Sequence, residues 1–385
     1  MTNTEIKLID FILTVWTVDI EPIAVIDEII SLSWQNNLNT VGKFTLNVPL
    51  TTDNIQALQV GNLITKNTYG EGVKKEACII TYRQIAVNKQ GIETLQIQGT
   101  SILTWLSQRV LTENYNLNDT IEQIARQLVN NEAISPQNPD RIIPKLQLGE
   151  FANLPDTTTF FPNSQYPQLL SSLTNVFTGV YYGLRIIMDT QNRVFLFEVY
   201  KGVDLTIQST TNQPLLFSSE MNNIMSETYT HTNVNFNNVA YVYAQFNAGS
   251  NSNTEINKTI IVGNAQGLQR FETSVSGGNP TINGAQFEIT ENNYQQLLPV
   301  VGEQALAQAE VTHNFTGKLN MNAGLTYKKD FNLGDQITAI NKEWGLNKNL
   351  VITGVTEEYS VQGMQLSLNF GYPLPTILEL INKKY

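Results

Sequence analysis

The chain reads LGDQIT at residues 333–338, LVITGVTEEY at 350–359, then Gly363 and a last strand that closes at Gly371. The same plan stands near the other end: VGNLIT at 60–65, CIITYRQIAV at 78–87, then Gly91 and a strand closing at Gly99. Each stretch is short, β-branched and bounded by Gly, Asn or Asp, which reads as strands joined by turns. The Gly61-to-Gly91 and Gly334-to-Gly363 spacings differ by one residue. Inward alternation in the two last strands is also offset by one, Leu95 and Ile97 against Leu366, Leu368 and Phe370, so a bulge or a register difference is required. The pattern reads as one small β unit used twice; two unrelated small barrels with the same turn chemistry is the other reading.

Working outward, residues 1–105 carry six strand-like runs (11–18, 27–34, 42–50, 62–69, 78–87 and 93–99), enough for a first small barrel-like domain. Residues 106–220 change character. Asp119 is placed as an N-cap and Glu122 as its capping-box partner, ahead of the helical series Ile121, Ile124, Ala125, Leu128, with the helix ending near Asn131. A Pro-rich connector leads to a second helix at 168–177 and two apolar strands around an Asp189–Asn192 turn, completing an α+β domain. The run 226–246 reads as another strand pair. Residues 221–246 with 325–375 form a second barrel-like domain, and 247–324 an inserted segment with a helix from about Asn292 that Pro299 starts or kinks. Pro373 and Pro375 precede a short helix and the tail 376–385. The expected fold class is therefore α+β, mostly β.

Composition bounds the function. At 385 residues, 41% hydrophobic and 15% charged, the chain has core enough for two or three domains, and its polarity is uncharged. Lys+Arg 23 against Asp+Glu 34 gives −11, and no basic run occurs, which disfavours wrapping of nucleic acid. Asp10 and Asp19 bracket the N-terminal apolar stretch, and no small-residue cleavage site follows, so neither a signal peptide nor a membrane span is expected. The single Cys78 allows no intrachain disulfide and no multi-cysteine zinc site. Three glycosylation sequons, at Asn118, Asn257 and Asn314, are coincidences of an Asn-rich chain on that reading.

The search for chemistry returns little. His231 and His313 are far apart in sequence, without a His or Cys at metal spacing. No G-x-S-x-G elbow, Walker loop or Rossmann glycine loop occurs. Cys78 lies in an apolar strand, as a buried inert thiol would. Glu357 and Glu358 are strand neighbours and face opposite sides, which argues against a hydrolytic pair. Asp189-Thr-Gln-Asn192 lacks the Gly and terminal Glu of a calcium loop. No enzyme is expected.

GKFTLNVPLTTDNIQALQVGNLI (42–64) and LGDQITAINKEWGLNKNLVITGVTEEYSVQGMQLSLNFGYPLPTILELINKK (333–384) resemble the hub, or tail-associated, proteins that close the tail tube of siphophages. The residues that carry the resemblance are Gly61, the Gly334-Asp335 turn, Trp344-Gly345, the strand ending at Tyr359, and Gly371 with Pro373 and Pro375; NNVAYVYAQF (237–246) is similar more loosely. The resemblance implies a homotrimer whose paired barrel-like domains form a ring, with the α+β domain and inserted segment decorating or capping it. It implies a tail-tip location in the virion after synthesis in the host cytoplasm. The implied partners are the distal tail protein, the tape-measure protein and receptor-binding proteins. Viral DNA would pass without sequence recognition, no cofactor is implied, and an acidic lumen would not retain the DNA. Many relatives continue into hydrolase or fibre modules whereas this sequence stops at Tyr385, so a structural plug and conduit is expected. A carbohydrate-binding adhesin and a cell-wall glycan hydrolase are the alternatives.

Overall fold

Leu13 and Val15 alternate with less buried neighbours and lose all solvent exposure, the signature of a strand with one face on a core. The computed structural model describes residues 11–371 except 69–71, 88–90, 92, 114, 116, 161–165, 178–179, 235, 248–254, 279–280, 283–284, 287, 308 and 310–311. The expected structure at Pro373, Pro375 and 376–385 lies outside the described residues. The first unit comprises β1 (Phe11–Trp16), β2 (Pro22–Ile26), β3 (Ser31–Asn37), β4 (Lys43–Pro49), α1 (Thr52–Ala57), β5 (Leu63–Thr68), β6 (Lys74–Val87) and β7 (Glu93–Ser101). Its strands pair antiparallel in the order β3-β4-β7-β6-β5-β1-β2. Trp34 stacks on Phe44 at 5.5 Å within a core that includes Leu46, Ile80, Leu95 and Ile97.

The barrel expected here does not close among the described residues. Exposed Asp27 and Glu28, expected in a strand, instead form a connector, and β3 gives its second edge to a distant strand rather than to β2. The run 27–34 is accordingly a strand only from Ser31.

The middle unit follows: β8 (Leu117–Thr120), α2 (Ile121–Val129), β9 (Leu146–Leu148), β10 (Thr157–Phe160), α3 (Leu169–Val176), β11 (Tyr182–Asp189) and β12 (Val194–Lys201). The expected hairpin is present, with Asp189 Oδ1 accepting from the Gln191 and Asn192 amides at 3.0 and 2.9 Å. The capping box is not. Thr120 is the N-cap, its Oγ1 accepting from Gln123 N–H at 3.2 Å. Glu122 turns inward, fully buried, to accept the Ala152 and Leu154 amides at 2.7 and 3.1 Å, because that connector otherwise leaves donors without partners. Beyond α2 a wider turn, Asn130–Ile134, points Glu132 at Thr112, Tyr115 and Arg141.

The second unit begins with β13 (Leu216–Phe217) and β14 (Ile224–Thr232). An inserted body intervenes: β15 (Val239–Asn247), β16 (Glu255–Val262), β17 (Glu272–Ser276), the two-residue β18 (Thr281–Ile282) and β19 (Ala285–Gln286), and α4 (Tyr294–Ala307), which contains Pro299. Then come β20 (Thr312–Leu319), β21 (Gln336–Asn341), β22 (Leu346–Ser360) and β23 (Gly363–Gly371). The strand pair expected at 226–246 is not a pair. β14 bonds β20, whereas β15 sits between β16 and β17 under α4 with its own core of Ala240, Val242, Ala244, Ile289 and Leu298. Thr232 and Thr312 are register partners, so the insertion leaves and re-enters the sheet at one point.

Without the insertion, the second unit repeats the first. The order β14-β20-β23-β22-β21-β13 matches β3-β4-β7-β6-β5-β1, and the matched strands follow the same sequence along the chain. One departure is that β13 runs parallel to β21 whereas β1 is antiparallel to β5. The hinge of each unit is the glycine pair seen in the sequence. Gly61 N–H donates to Ile80 O and Ile80 N–H to Asn62 O, both at 2.9 Å; Gly334 N–H donates to Ile352 O at 2.8 Å and Ile352 N–H to Asp335 O at 3.0 Å. Gly61 and Gly334 share φ of 94° and 96°, a conformation that side-chain-bearing residues rarely adopt. A bulge follows at the same place in both, between Ile80 and Tyr82 and between Ile352 and Gly354. Gly99 therefore matches Phe370, not Gly371, and the one-residue offset is taken up in the turn before the last strand.

Candidate assembly interface

The two units are fused into one sheet. Gly354–Tyr359 of β22 pairs antiparallel with Leu32–Asn37 of β3, from Gly354↔Asn37 to Tyr359↔Leu32. Under this seam lies a buried charged cluster. Lys66 of β5 and Glu357 of β22, each 5% exposed, form an ion pair; Tyr359 OH donates to Glu357 Oε1 at 2.8 Å and lies 3.3 Å from Lys66 Nζ. The Phe11 and Tyr359 rings, 4.4 Å apart, flank the ammonium at 5.9 and 5.4 Å. Burial pulls the Lys66 pKa below the ordinary lysine range against the attraction of Glu357. A buried pair of this kind fixes geometry more than it adds stability.

Among the described strands the equivalent edges are not joined to one another. Among the described strands β14 pairs only with β20, and Tyr82–Val87 of β6 pairs only with β7. Tyr82, Ile85 and Val87 are 43%, 51% and 60% exposed. Beside the β14 edge, Trp344, Glu227, Thr228 and Tyr229 line an open hollow of about 420 Å³. Asn341 positions its walls, accepting from Trp344 N–H at 3.0 Å and donating to Glu227 Oε2 at 2.7 Å. The other carboxylate oxygen, Glu227 Oε1, is buried without a hydrogen-bond partner. A second hollow, of about 280 Å³, lies where the two units meet the middle one; Glu76 there accepts from Lys328 at 3.1 Å and Asn36 at 2.9 Å, and Trp34 Nε1 faces no partner.

The residues singled out in the sequence separate into hinge and surface. Asp335 is 2% exposed and accepts the Val203 and Asn332 amides at 2.9 and 2.7 Å, locking the chain after β12 to the β21 turn, and burial pushes its pKa up against those bonds. Gly345 and Gly371 have φ of 64° and 79°, and Tyr359 belongs to the seam. Trp344 is 49% exposed and lines the hollow. Lys66 carries no local signal of its role, because its partner Glu357 lies 291 residues away. Glu357 is buried and Glu358 exposed, as their alternation predicts. Cys78 is buried, and desolvation pushes its thiol pKa well up. His231 and His313, distant in sequence, are register partners across β14 and β20. Among the described residues no group of three metal-capable side chains occurs, and no helix is long and apolar enough to cross a membrane.

The mostly β fold is shared with solved tail proteins. The chain is similar in fold to a tail protein from Neisseria meningitidis (13% identity, 94% of this chain and 97% of that one, TM-score 0.56). It is likewise similar to the 43 kDa tail protein of prophage MuSo2 from Shewanella oneidensis (12% identity, 93% and 98%, TM-score 0.52). No curated protein matches the chain. Residues 12–372 match the family of Siphovirus ReqiPepy6 Gp37-like proteins, and the chain belongs to that family, a siphoviral tail-protein family.

Proposed function

We propose that this chain is the structural hub of a phage tail tip, a homotrimer whose doubled β units form a ring that closes the tube and opens for DNA. The observation that carries the reading is the repeat itself: one chain holds two copies of the same open unit, already joined edge to edge. Three such chains present six similar units, which is what a threefold protein needs to sit on a sixfold tube. The distal tail protein would bind one face of that ring, the tape-measure protein its lumen side, and receptor-binding proteins its periphery. The inserted body and the middle unit cap or decorate the ring, and opening is a rearrangement of contacts between chains. The role is structural, without covalent chemistry. Light scattering of the purified chain, alone and mixed with its distal tail protein, tests this. A trimeric mass in either condition is expected; a monomer in both sinks the reading.

A further inference from the structure

We propose that the hollow where the three units meet binds one neutral, polyhydroxylated molecule of about the size of a single sugar ring. This site stands apart from the tail-tip role and does not depend on it. Every unit contributes to its walls. Trp34 and Asn36 come from β3 and Glu76 from β6 of the first unit, Arg185 and Tyr200 from β11 and β12 of the middle one, and Tyr327 and Lys328 from the chain between β20 and β21 of the second. Strand alternation puts Trp34 and Asn36 on one face of β3, and Asn36 ties that face to β6 by donating to Glu76 Oε2 at 2.9 Å. At about 280 Å³ the hollow stands at the small end of ligand pockets, which run from roughly 300 to 1,000 Å³. It has room for one ring and not for a chain of them.

Two groups set the chemistry. Trp34 is 1% exposed and lines the hollow, and its indole N–H is buried without a hydrogen-bond partner, a costly state for a donor unless something in the hollow accepts from it. Glu76 Oε2 accepts from both Asn36 and Lys328, while Oε1 takes neither bond and keeps its acceptor capacity. A bound molecule therefore has to accept from an indole and donate to a carboxylate, and a hydroxyl does both. Charge is already matched around the hollow. Arg185 donates from Nε and Nη2 to Glu198 Oε2 at 2.9 and 2.7 Å, Lys74 lies 3.4 Å from Glu198 Oε1, and Lys328 is held by Glu76. An anion would have to displace Glu198 or Glu76 from these cations, and a cation would meet all three, so a neutral molecule fits best. Tyr200 and Tyr327 supply ring surface for its C–H groups.

Fluorine resonances test this in the full chain, with 5-fluorotryptophan at its four tryptophans. The Trp34 signal is assigned by its absence from Trp34→Phe or, should that variant not fold, by elimination with Trp16→Phe, Trp105→Phe and Trp344→Phe. Glucose, galactose and N-acetylglucosamine are each added to about 100 mM, enough to saturate a millimolar site, with acetate and methylammonium as charged controls. At least one sugar is expected to shift the Trp34 signal saturably and to leave that of Trp344 in place. Saturation transfer from protein to sugar then gives affinities, expected to be roughly fivefold weaker in Trp34→Phe and tenfold weaker in Glu76→Leu. Should one variant fail to fold, the other reports alone. No shift with any of the three sugars, the result if the hollow holds only water, overturns the proposal. A shift with acetate or methylammonium alone overturns it too, as does unchanged affinity in every variant that folds.

Discussion

Replacing Lys66 by alanine removes one half of the buried pair beneath the seam and leaves Glu357, 5% exposed, without its counter-ion. Removing one partner of a buried pair costs about 3–5 kcal/mol. Tyr359 OH still donates to Glu357 Oε1 at 2.8 Å, and a hydrogen bond to a charge retains roughly 1.5–3 kcal/mol, so the low end, about 3 kcal/mol, is expected. The loss falls on the β3–β22 seam rather than on the whole chain, whose several cores make a single unfolding free energy ill-defined. Hydrogen exchange of the amides between Leu32 and Asn37 is therefore the assay. At 1.4 kcal/mol per factor of ten, their exchange should accelerate roughly 100-fold in Lys66→Ala. The double variant Lys66→Met with Glu357→Leu, which removes both charges, should return within about 1 kcal/mol of the parent. An acceleration of less than about fivefold in Lys66→Ala would refute the claim that Glu357 is buried in the seam only because Lys66 compensates it.

Other outcomes follow from the same geometry. Glu132 is pushed up by burial, but the Thr112 amide, the Tyr115 hydroxyl and Arg141 outweigh this and hold its pKa below 4.5. Its stabilisation is then present above the unfolded-state pKa and lost as pH falls through the folded one, so Glu132→Gln should flatten the decline in melting temperature below pH 4.5; parallel declines would contradict it. Trp344→Ala, at a half-exposed position, should change monomer stability by no more than about 0.5 kcal/mol yet weaken assembly, and a loss in thermal stability above about 2 kcal/mol would show that the ring supports the loop instead. Because Thr232 and Thr312 are register partners, replacing 233–311 by a short turn should leave a folded chain with the cores around Phe217, Phe315 and Phe370 intact, checked by near-ultraviolet circular dichroism.

What was legible in the sequence was local. The matched glycine turns, the hairpin at Asp189 and the one-residue offset of the last strands each follow from residues close to one another. The seam was not legible, because β3 meets β22 across most of the chain and neither strand announces its partner. The 226–246 misreading has the same cause. Two alternating runs with a short loop between them make a hairpin by default, and only an 80-residue detour to β20 reveals the true neighbour. Glu122 satisfied the capping-box spacing, but spacing does not record that amides at 152 and 154 compete for the same carboxylate. Trp344 stood out as a motif residue without any signal for which way its ring faces.

The seam between β3 and β22 differs from a contact between separate molecules in what restores it after it parts. Inside the chain, β3 and β22 stay tethered by the polypeptide, so a broken seam finds its own edge again at high effective concentration, with an ion pair to select the register. A contact between separate molecules would lack that tether. The doubled unit is thus a weld that recloses on itself, not a latch that must be found again after each opening.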